Sequence, residues 1–308
     1  MSQEEKRILI IGGTGFIGQQ IVKHALKLGW IVTCLSLNPN KCIINLDVNY
    51  IVADITDKDS LKCLIGDTEF NYVVNCGGYI DHSLFFNGGR KIFDTHFQGV
   101  LNLIEALNQD ALLSFVNIGS SDEYGNVAAP QSEIQREAPI SPYSLGKVAS
   151  THFLQMLYRT EGFPATTLRL FLVYGPGQDN GRFLPQVIRG CLEGRSFPTS
   201  NGEQLRDFCF VQDVVDAIFL TFDNLEVKGE VINIASGLSI SVRSVIETIN
   251  RLVGKGDPRF GEIAYRPGEN MELFADISKA KQLLHWKPKI NLQDGLCQTI
   301  DHFRGIVL

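Results

Sequence analysis

The sequence predicts an α/β fold, a doubly wound parallel sheet with a smaller C-terminal lobe. In the first half, short apolar runs alternate with segments of helical periodicity, and a glycine-rich turn follows the first run. Such runs are typical of parallel strands that helices cover on both faces. Gly175-Pro176-Gly177 then breaks the alternation. We therefore expect a main domain over 1–172 and a mainly separate lobe over 173–308.

Each element of the main domain is predicted from its own pattern. Buried strands are indicated by apolar runs from Ile8 to Ile11, Ile31 to Leu35, Tyr50 to Val52, Tyr72 to Val74, Leu113 to Ile118 and Thr166 to Phe171. Helices are indicated by periodic segments from Phe16 to Leu28, Lys58 to Ile65, about Phe85 to Leu107, and Tyr143 to about Arg159. A further apolar run over 231–235 is predicted to return to the main sheet.

The composition indicates a globular protein with no basic surface. The chain has 308 residues, is 44% hydrophobic and carries a net charge of −6. No run of lysine or arginine suggests nucleic acid or an anionic membrane as a partner. Seven scattered cysteines without a Cys-x-x-Cys argue against a disulfide framework or a metal site. With no apolar leader before Ile8, we expect a cytoplasmic protein.

The glycine-rich turn predicts a dinucleotide site of the Rossmann type. It lies directly after the first strand and opens the first helix. Glycines there allow a tight turn and a close approach to pyrophosphate, which the positive end of the helix dipole favours. The residues expected to bind the cofactor are Gly12, Thr14, Gly15, Phe16, Ile17 and Gly18. The alternative is a glycine-rich turn without a ligand.

The end of the second strand bears on the choice of cofactor. A carboxylate there binds the ribose 2′-hydroxyl of NAD, but the segment from Cys34 to Asn38 contains none. Ser36, Asn38 and Lys41 are candidates to accept a 2′-phosphate instead. This favours NADP(H) over NAD(H); the alternative is a solvated loop that binds NAD(H) without the acid.

Asp54 and Ile55 follow the third strand and complete the predicted cofactor site. At that position they would meet the adenine edge. The alternative for Asp54 is a helix cap, because aspartate is a favoured residue before a helix.

Tyr143 and Lys147 form the predicted catalytic pair. Their spacing of four places the phenol and the ammonium on one helix face, one turn apart. The ammonium favours the phenolate and so eases proton transfer by the tyrosine. A dinucleotide turn followed by this pair predicts hydride transfer coupled to proton transfer.

Ser120 is a third candidate catalytic residue. It lies beyond the strand from Leu113 to Ile118, at the carboxyl end, where ligands bind in such sheets. Its hydroxyl could hold a substrate oxygen while Tyr143 moves the proton. The alternative is a polar turn.

These motifs resemble the extended short-chain dehydrogenase/reductases that act on nucleotide sugars, over essentially the whole chain. Gly12, Gly15 and Gly18 match that family's glycine turn. Tyr143-x-x-x-Lys147 matches its catalytic pair, and Ser120 its active-site serine or threonine.

The resemblance implies roles for residues that the motifs alone do not explain. In that family, arginines at the positions of Arg206 and Arg266 bind the nucleotide diphosphate. Arg182, in the same loop region, is a weaker substrate candidate with a salt bridge as its alternative. The family also implies a nucleotide-diphosphate sugar as substrate, and a homodimer built on the helices near 85–107 and 143–159.

Several positions depart from the family pattern. His96 and Leu172 stand where the family usually has asparagine. Dehydratases of the family carry an acid, commonly glutamate, where Asp122 stands, and some carry aspartate where this chain has Ser121. His96 is a candidate proton donor, with a structural histidine as the alternative.

Three reactions stay open at this point. The exchangeable cofactor suggested by the second strand favours reduction of an NDP-4-keto-6-deoxy sugar. The segment Gly119 to Gly125 also resembles the GDP-4-keto-6-deoxy-mannose reductase branch. The alternatives are a 4-epimerase with tightly bound NAD, a 4,6-dehydratase, and a dinucleotide-binding sensor or scaffold without activity.

Overall fold

The computed structural model describes residues 5–38, 47–265 and 268–307, which divide into two compact units. The first unit comprises Met1–Asn126, Arg136–Arg169 and Val215–Ile232. The second comprises Val127–Gln135, Leu170–Val214 and Asn233–Leu308. Within the described ranges, no helix is long and apolar enough to cross a membrane.

Among the described residues, a seven-stranded sheet lies mostly in the first unit, and the other strands form the smaller sheets of the second unit. In chain order the strands are β1 Arg7–Ile11, β2 Ile31–Ser36, β3 Val48–Val52, β4 Tyr72–Asn75, β5 Ser114–Ser120, β6 Ala165–Leu170, β7 Leu172–Tyr174, β8 Ser196–Thr199, β9 Leu205–Arg206, β10 Phe208–Phe210, β11 Val231–Ile234, β12 Ile240–Ser241, β13 Asp257–Phe260 and β14 Glu272–Leu273. The main sheet has the order β11-β6-β5-β4-β1-β2-β3. Its central pairs are parallel, and Ile10 of β1 lies between Cys34 and Val74. The predicted doubly wound fold is confirmed.

The helices are α1 Phe16–Lys27, α2 Lys58–Ile65, α3 Gly89–His96, α4 Gln98–Ala106, α5 Pro142–Glu161, α6 Phe183–Leu192, α7 Val211–Leu220, α8 Val242–Val253, α9 Ser278–Leu283 and α10 Leu292–Val307. The single helix predicted from Phe85 to Leu107 is wrong. A 3-10 turn comes first, Gly88 follows with φ 97°, and Phe97 at φ −109° and ψ −62° separates α3 from α4. The left-handed backbone at Gly88 cannot continue a helix.

Apolar side chains from the strands and from the helices that cover them form the core of the first unit. Leu9, Val73 and Phe115 from the sheet cluster with Leu103 of α4 and Leu154 of α5. These five side chains are at most 1% exposed. Burial of apolar area of this kind is the main force that holds such a sheet and its helices together.

A reciprocal cap fixes the start of α5, which carries the Tyr143/Lys147 pair. The Ser141 hydroxyl accepts from the backbone N–H of Ser144 at 3.1 Å, and the Ser144 hydroxyl lies 3.0 Å from the Ser141 nitrogen. Pro142 occupies the first helical turn, where its missing N–H has no cost. Tyr143 therefore has a defined position in the first turn of the helix.

The second unit has three small sheets and a core of its own. β10 pairs with β7, β12-β9-β14 forms a three-stranded sheet, and β13 pairs with β8. Ile188 of α6, Val245 of α8 and Leu296 of α10 meet in one buried cluster. The division at residue 172, and the assignment of the C-terminal lobe to nucleotide-sugar binding, stay predictions.

Gly18 in the first turn of α1 provides a test of the tight packing beneath the glycine turn. A Cβ at this position would lie 2.2 Å from the carbonyl oxygen of Gly12, so backbone must move to admit it. We expect Gly18→Ala to lower the free energy of unfolding by about 1–3 kcal/mol, measured by urea denaturation. Gly305→Ala in α10 is the control, because nothing lies within 4 Å of its Cβ. Equal effects of the two substitutions would contradict this interpretation.

Candidate active site

The glycine turn lies pressed against the carboxyl ends of the central strands. Gly12 has φ +73°, and its N–H donates to the carbonyl of Leu35 at 2.7 Å. Gly15 closes the turn by donating to the carbonyl of Gly12 at 2.9 Å. A Cβ on Gly13 would lie 2.5 Å from the Cys34 sulfur. The turn therefore exposes bare backbone where a side chain has no room.

These residues fit a dinucleotide's pyrophosphate. The turn leads directly into α1, whose N-cap Gly15 contributes no side-chain hydrogen bond to the first turn. Backbone N–H groups at a helix N-terminus, together with the helix dipole, favour phosphate oxygens. Phe16, Ile17 and Gly18 form that first turn, as the sequence predicts.

The end of β2 meets the glycine turn through two hydroxyls. Thr14 Oγ1 lies 2.6 Å from Ser36 Oγ, and both side chains are buried. Asn38 is exposed just beyond the strand. Lys41 lies outside the described residues. In the described part of this segment, up to Asn38, there is no carboxylate.

Asp54 and Ile55 lie after β3, where the adenine edge was predicted. The Asp54 carboxylate accepts from the N–H and the hydroxyl of Thr56 at 2.9 and 2.7 Å. The helix cap belongs instead to Asp57, which accepts from the N–H of Ser60. Ile55 is buried, and its carbonyl accepts from Asn102 at 3.0 Å. A role for the two residues in binding adenine stays a prediction.

Tyr143 is buried, and its ring contacts two histidine rings. His96 of α3 meets it edge-on, with ring centres 4.8 Å apart. His82, in the loop after β4, meets it at 5.6 Å, also edge-on. The aromatic contacts fix the plane of the phenol.

Lys147 lies one turn further along α5 and is also buried. Its ammonium donates to the carbonyl of Ile118 in β5 at 2.6 Å. Burial lowers the pKa of Lys147 from 10.5 to about 8, and the nearby Glu123 carboxylate opposes part of that shift. The ammonium is therefore held in the first unit near Tyr143 with little solvent around it.

Ser120 ends β5 and begins a 3-10 turn over Ser121–Tyr124. Its hydroxyl accepts from the N–H of Asp122 at 3.2 Å, and its own N–H donates to the Glu123 carboxylate at 2.9 Å. Ser121 is buried. The turn thus fixes the backbone of Ser120.

A buried ion pair holds this turn in place. Glu123 and Arg169 are both 0% exposed, and the carboxylate lies 2.9 Å from Arg169 Nε. Thr151 of α5 donates to the same carboxylate at 2.9 Å, and Arg169 also pairs with Glu137. The guanidinium lies over the ring of Tyr124, 4.6 Å from its centre. Through Glu123, the ends of β5 and β6 are joined to the middle of α5.

His96 is held in one protonation state. Its Nε2–H donates to the carbonyl of Tyr79 at 2.9 Å. Burial, and then the charge of Lys147, lower the pKa of His96 to about 3, so the ring is neutral near pH 7. A Cβ on Gly78 would collide with this ring at 2.3 Å, which shows how closely the loop encloses it.

The sequence reasoning missed His82. Its Nε2 lies 3.6 Å from the Asp122 carboxylate, and its side chain is 45% exposed. The signal available was the polar run Asp81-His82-Ser83 a few residues beyond β4, near the carboxyl edge where ligands bind. The carboxylate of Asp81 is turned to Ser83 instead, accepting from its N–H and hydroxyl at 2.7 and 2.6 Å.

Arg206 and Arg182, two of the three predicted substrate arginines, lie among the described residues of the second unit. Arg206 is buried, donates to the carbonyl of Leu205 at 2.8 Å and pairs with Glu269. Arg182 is exposed at the N-cap of α6 and forms no ion pair within the described ranges. Arg266 lies outside the described residues. Leu172 is 39% exposed in β7.

Fold and site together define a dinucleotide-dependent enzyme. The model of the NAD dependent epimerase/dehydratase family matches residues 8–235, a range that includes the glycine turn, Ser120, Tyr143 and Lys147. The chain belongs to this family and is an enzyme of the extended short-chain dehydrogenase/reductase type.

Individual relatives are similar over nearly their whole length. A dTDP-glucose 4,6-dehydratase of Xanthomonas campestris pv. campestris is 29% identical, covering 96% of this chain and 92% of that protein. The crystal structure of a UDP-glucose 4-epimerase with UDP-glucose from Thermotoga maritima is 26% identical with a TM-score of 0.89, covering 98% of this chain and 100% of the other. The crystal structure of a Thermus thermophilus UDP-glucose 4-epimerase complex with NAD is 25% identical with a TM-score of 0.86, covering 97% and 99%.

The buried ion pair between Glu123 and Arg169 should contribute strongly to the free energy of unfolding. Arg169→Met leaves Glu123 buried without its cation, which costs about 3–5 kcal/mol. We expect the urea midpoint to fall accordingly. Arg90→Met is the matched control, because its pair with Asp94 is on the surface and the Arg90 side chain is 69% exposed; its midpoint is expected to stay nearly unchanged. Similar midpoints for the two variants would contradict the structural role of Arg169.

Proposed function

We propose that this enzyme transfers hydride at C4 of a nucleotide-diphosphate sugar, in the direction that reduces an NDP-4-keto-6-deoxy sugar. The placement of Tyr143 and Lys147 on α5, in the same unit as Ser120 and the glycine turn, carries the proposal. The nearest reaction type suggested by the sequence is the GDP-4-keto-6-deoxy-mannose reductase branch. That finer assignment stays a prediction.

Ser120, Tyr143 and Lys147 would each have a separate role in the reaction. Ser120 and Tyr143 donate hydrogen bonds to the C4 oxygen, and Tyr143 gives its proton to the alkoxide that forms there. The Lys147 ammonium stabilises the resulting phenolate. When bound, NAD(P)H supplies the hydride. Burial of Tyr143 and Lys147 strengthens this charge interaction because little water screens it.

The end of β2 supports the direction of the reaction. Ser36 and Asn38 offer no carboxylate to a ribose 2′-hydroxyl. This supports NADP(H) that is exchanged in each turnover, as a reductase requires. The NAD in the solved Thermus thermophilus epimerase supports NAD(H) instead. The two interpretations differ in a property that can be measured, the dinucleotide that accompanies the purified protein.

A 4-epimerase is the second candidate, because two similar solved proteins carry that name and one was solved with UDP-glucose. The same Tyr143, Lys147 and Ser120 would serve oxidation at C4 and reduction on the other face. A 4,6-dehydratase has less support: Ser121 supplies no acid, and Asp122 is shorter than glutamate and pairs with His82.

The substrate's diphosphate would be held by arginine side chains. Arg206 is proposed for this role with Arg182 and Arg266, since a guanidinium pairs with phosphate oxygens in a bidentate manner. Arg206 would then exchange Glu269 for phosphate. Leu172 offers no amide to the substrate. The homodimer and the cytoplasmic location inferred from the sequence remain proposals as well.

The released dinucleotide decides between the two reactions. We expect mass spectrometry to detect little dinucleotide in the supernatant of the washed and then denatured protein. Any NADP(H) that accompanies the purified protein should appear in the washes instead. Stoichiometric NAD or NADH after extensive washing would contradict reduction with an exchanged cofactor and would favour the epimerase.

Tyr143→Phe removes the transferred proton and keeps the ring. We expect turnover of the 4-keto sugar to fall by about 10²–10⁴-fold, while the dissociation constant of the dinucleotide, measured by fluorescence titration, stays within about twofold of the wild type. Tyr158→Phe is the control, because it is the same substitution further along α5. Retained turnover in Tyr143→Phe would contradict the catalytic assignment.

The charge of Lys147 predicts a pH dependence. Its pKa of about 8 means that the ammonium is present below that pH and is lost above it. Turnover should therefore fall above about pH 8 in both directions, reduction of the C4 ketone and oxidation of the C4 hydroxyl. Ionisation of Tyr143 alone would slow reduction but speed oxidation, so rates in both directions separate the two groups. A profile that stays flat in both directions up to about pH 10, near the ordinary pKa of lysine, would contradict the role of Lys147.

A further inference from the structure

Two histidines contact Tyr143, and they differ in their exposure to solvent. His96 is buried, and its Nε2–H is donated to the carbonyl of Tyr79. Burial lowers its pKa to about 3, so it does not take up a proton near neutral pH. His96 therefore packs against the phenol as a neutral ring near pH 7.

His82, unlike the buried His96, is partly exposed to solvent. Its side chain is 45% exposed, so the ring reaches solvent, while its centre lies 5.6 Å from that of Tyr143. Its Nε2 faces the Asp122 carboxylate at 3.6 Å. A carboxylate beside an imidazole ring orients it.

The partner carboxylate is itself well placed. Asp122 lies two residues beyond Ser120, and its N–H donates to the Ser120 hydroxyl. The neighbouring carboxylate of Asp81 accepts hydrogen bonds from the N–H and the hydroxyl of Ser83. His82 thus contacts both the Asp122 carboxylate and the Tyr143 ring, while part of its side chain reaches solvent.

We infer that His82, positioned by Asp122, carries the solvent proton that restores Tyr143 after each reduction. The inference rests on the proposed function, because ketone reduction consumes one proton per turnover, whereas an epimerase returns the proton it removes. After Tyr143 has given its O–H proton to the C4 alkoxide, the His82 imidazolium gives an N–H proton to the phenolate. The neutral imidazole then takes a proton from solvent, and the imidazolium that forms lies beside the Asp122 carboxylate.

His82→Gln tests the relay. We expect kcat for reduction to fall about 10–100-fold, within the range of a lost proton-transfer group, with KM for the sugar nearly unchanged. Added imidazole should restore kcat in proportion to its concentration, because the site of the lost ring is open to solvent. Asp122→Asn should lower kcat by a smaller factor and keep KM, since the ring remains.

His152→Gln is the matched control. His152 also pairs with a carboxylate, Glu137, at 3.2 Å, and its side chain is 55% exposed. It lies more than two turns beyond Tyr143 on α5. We expect its kcat to be that of the wild type, with no response to imidazole. The thermal midpoints of both histidine variants show whether the fold is intact.

The outcomes separate the relay from the proposed function. Unchanged kcat in His82→Gln, or a loss that imidazole does not restore, would overturn the relay while reduction by the wild type upholds the proposed function. A raised KM with unchanged kcat would also overturn it, because it would indicate a substrate contact. Failure of the wild type to reduce any 4-keto sugar, with conversion of C4 epimers instead, would overturn the proposed function and the relay with it.

Discussion

The buried contact between Glu123 and Arg169 is the constraint on which the rest of the active site depends. One carboxylate accepts from the backbone of Ser120, from Thr151 of α5 and from Arg169 of β6. Such a charge is stable in the core only with all its partners in place, because an unpaired buried carboxylate is costly. The hydroxyl of Ser120 and the helix that carries Tyr143 and Lys147 are therefore positioned together.

This arrangement allows the Lys147 ammonium to remain buried away from water. Lys147 loses hydration when it is buried, which is why its pKa falls, and Glu123 supplies a compensating negative charge. His96 responds to the same environment by staying neutral. A single buried setting thus yields a charged amine and an uncharged imidazole close to one phenol, and of the two histidines that contact this phenol only the exposed His82 communicates with solvent.

Local patterns predicted much of the fold, and long-range contacts account for the failures. The apolar strand from Ile8 to Ile11 and the turn at Gly12 carry their signals in adjacent residues, so they were predictable. The break at Gly88 and Phe97 was missed because helical periodicity continues across it. The pair of Glu123 with Arg169 joins residues far apart in the chain, and His82 reaches Asp122 only through the fold; one sequence contains no signal for such contacts.

Deuterium transfer to the sugar tests the central claim most directly. The protein would be incubated with an NDP-4-keto-6-deoxy sugar and nicotinamide dinucleotide deuterated at the transferable position. We expect one deuterium at C4 of each product molecule, seen by NMR, together with oxidised dinucleotide in solution. A sugar without deuterium, or C4 epimers that interconvert with no dinucleotide added, would contradict it.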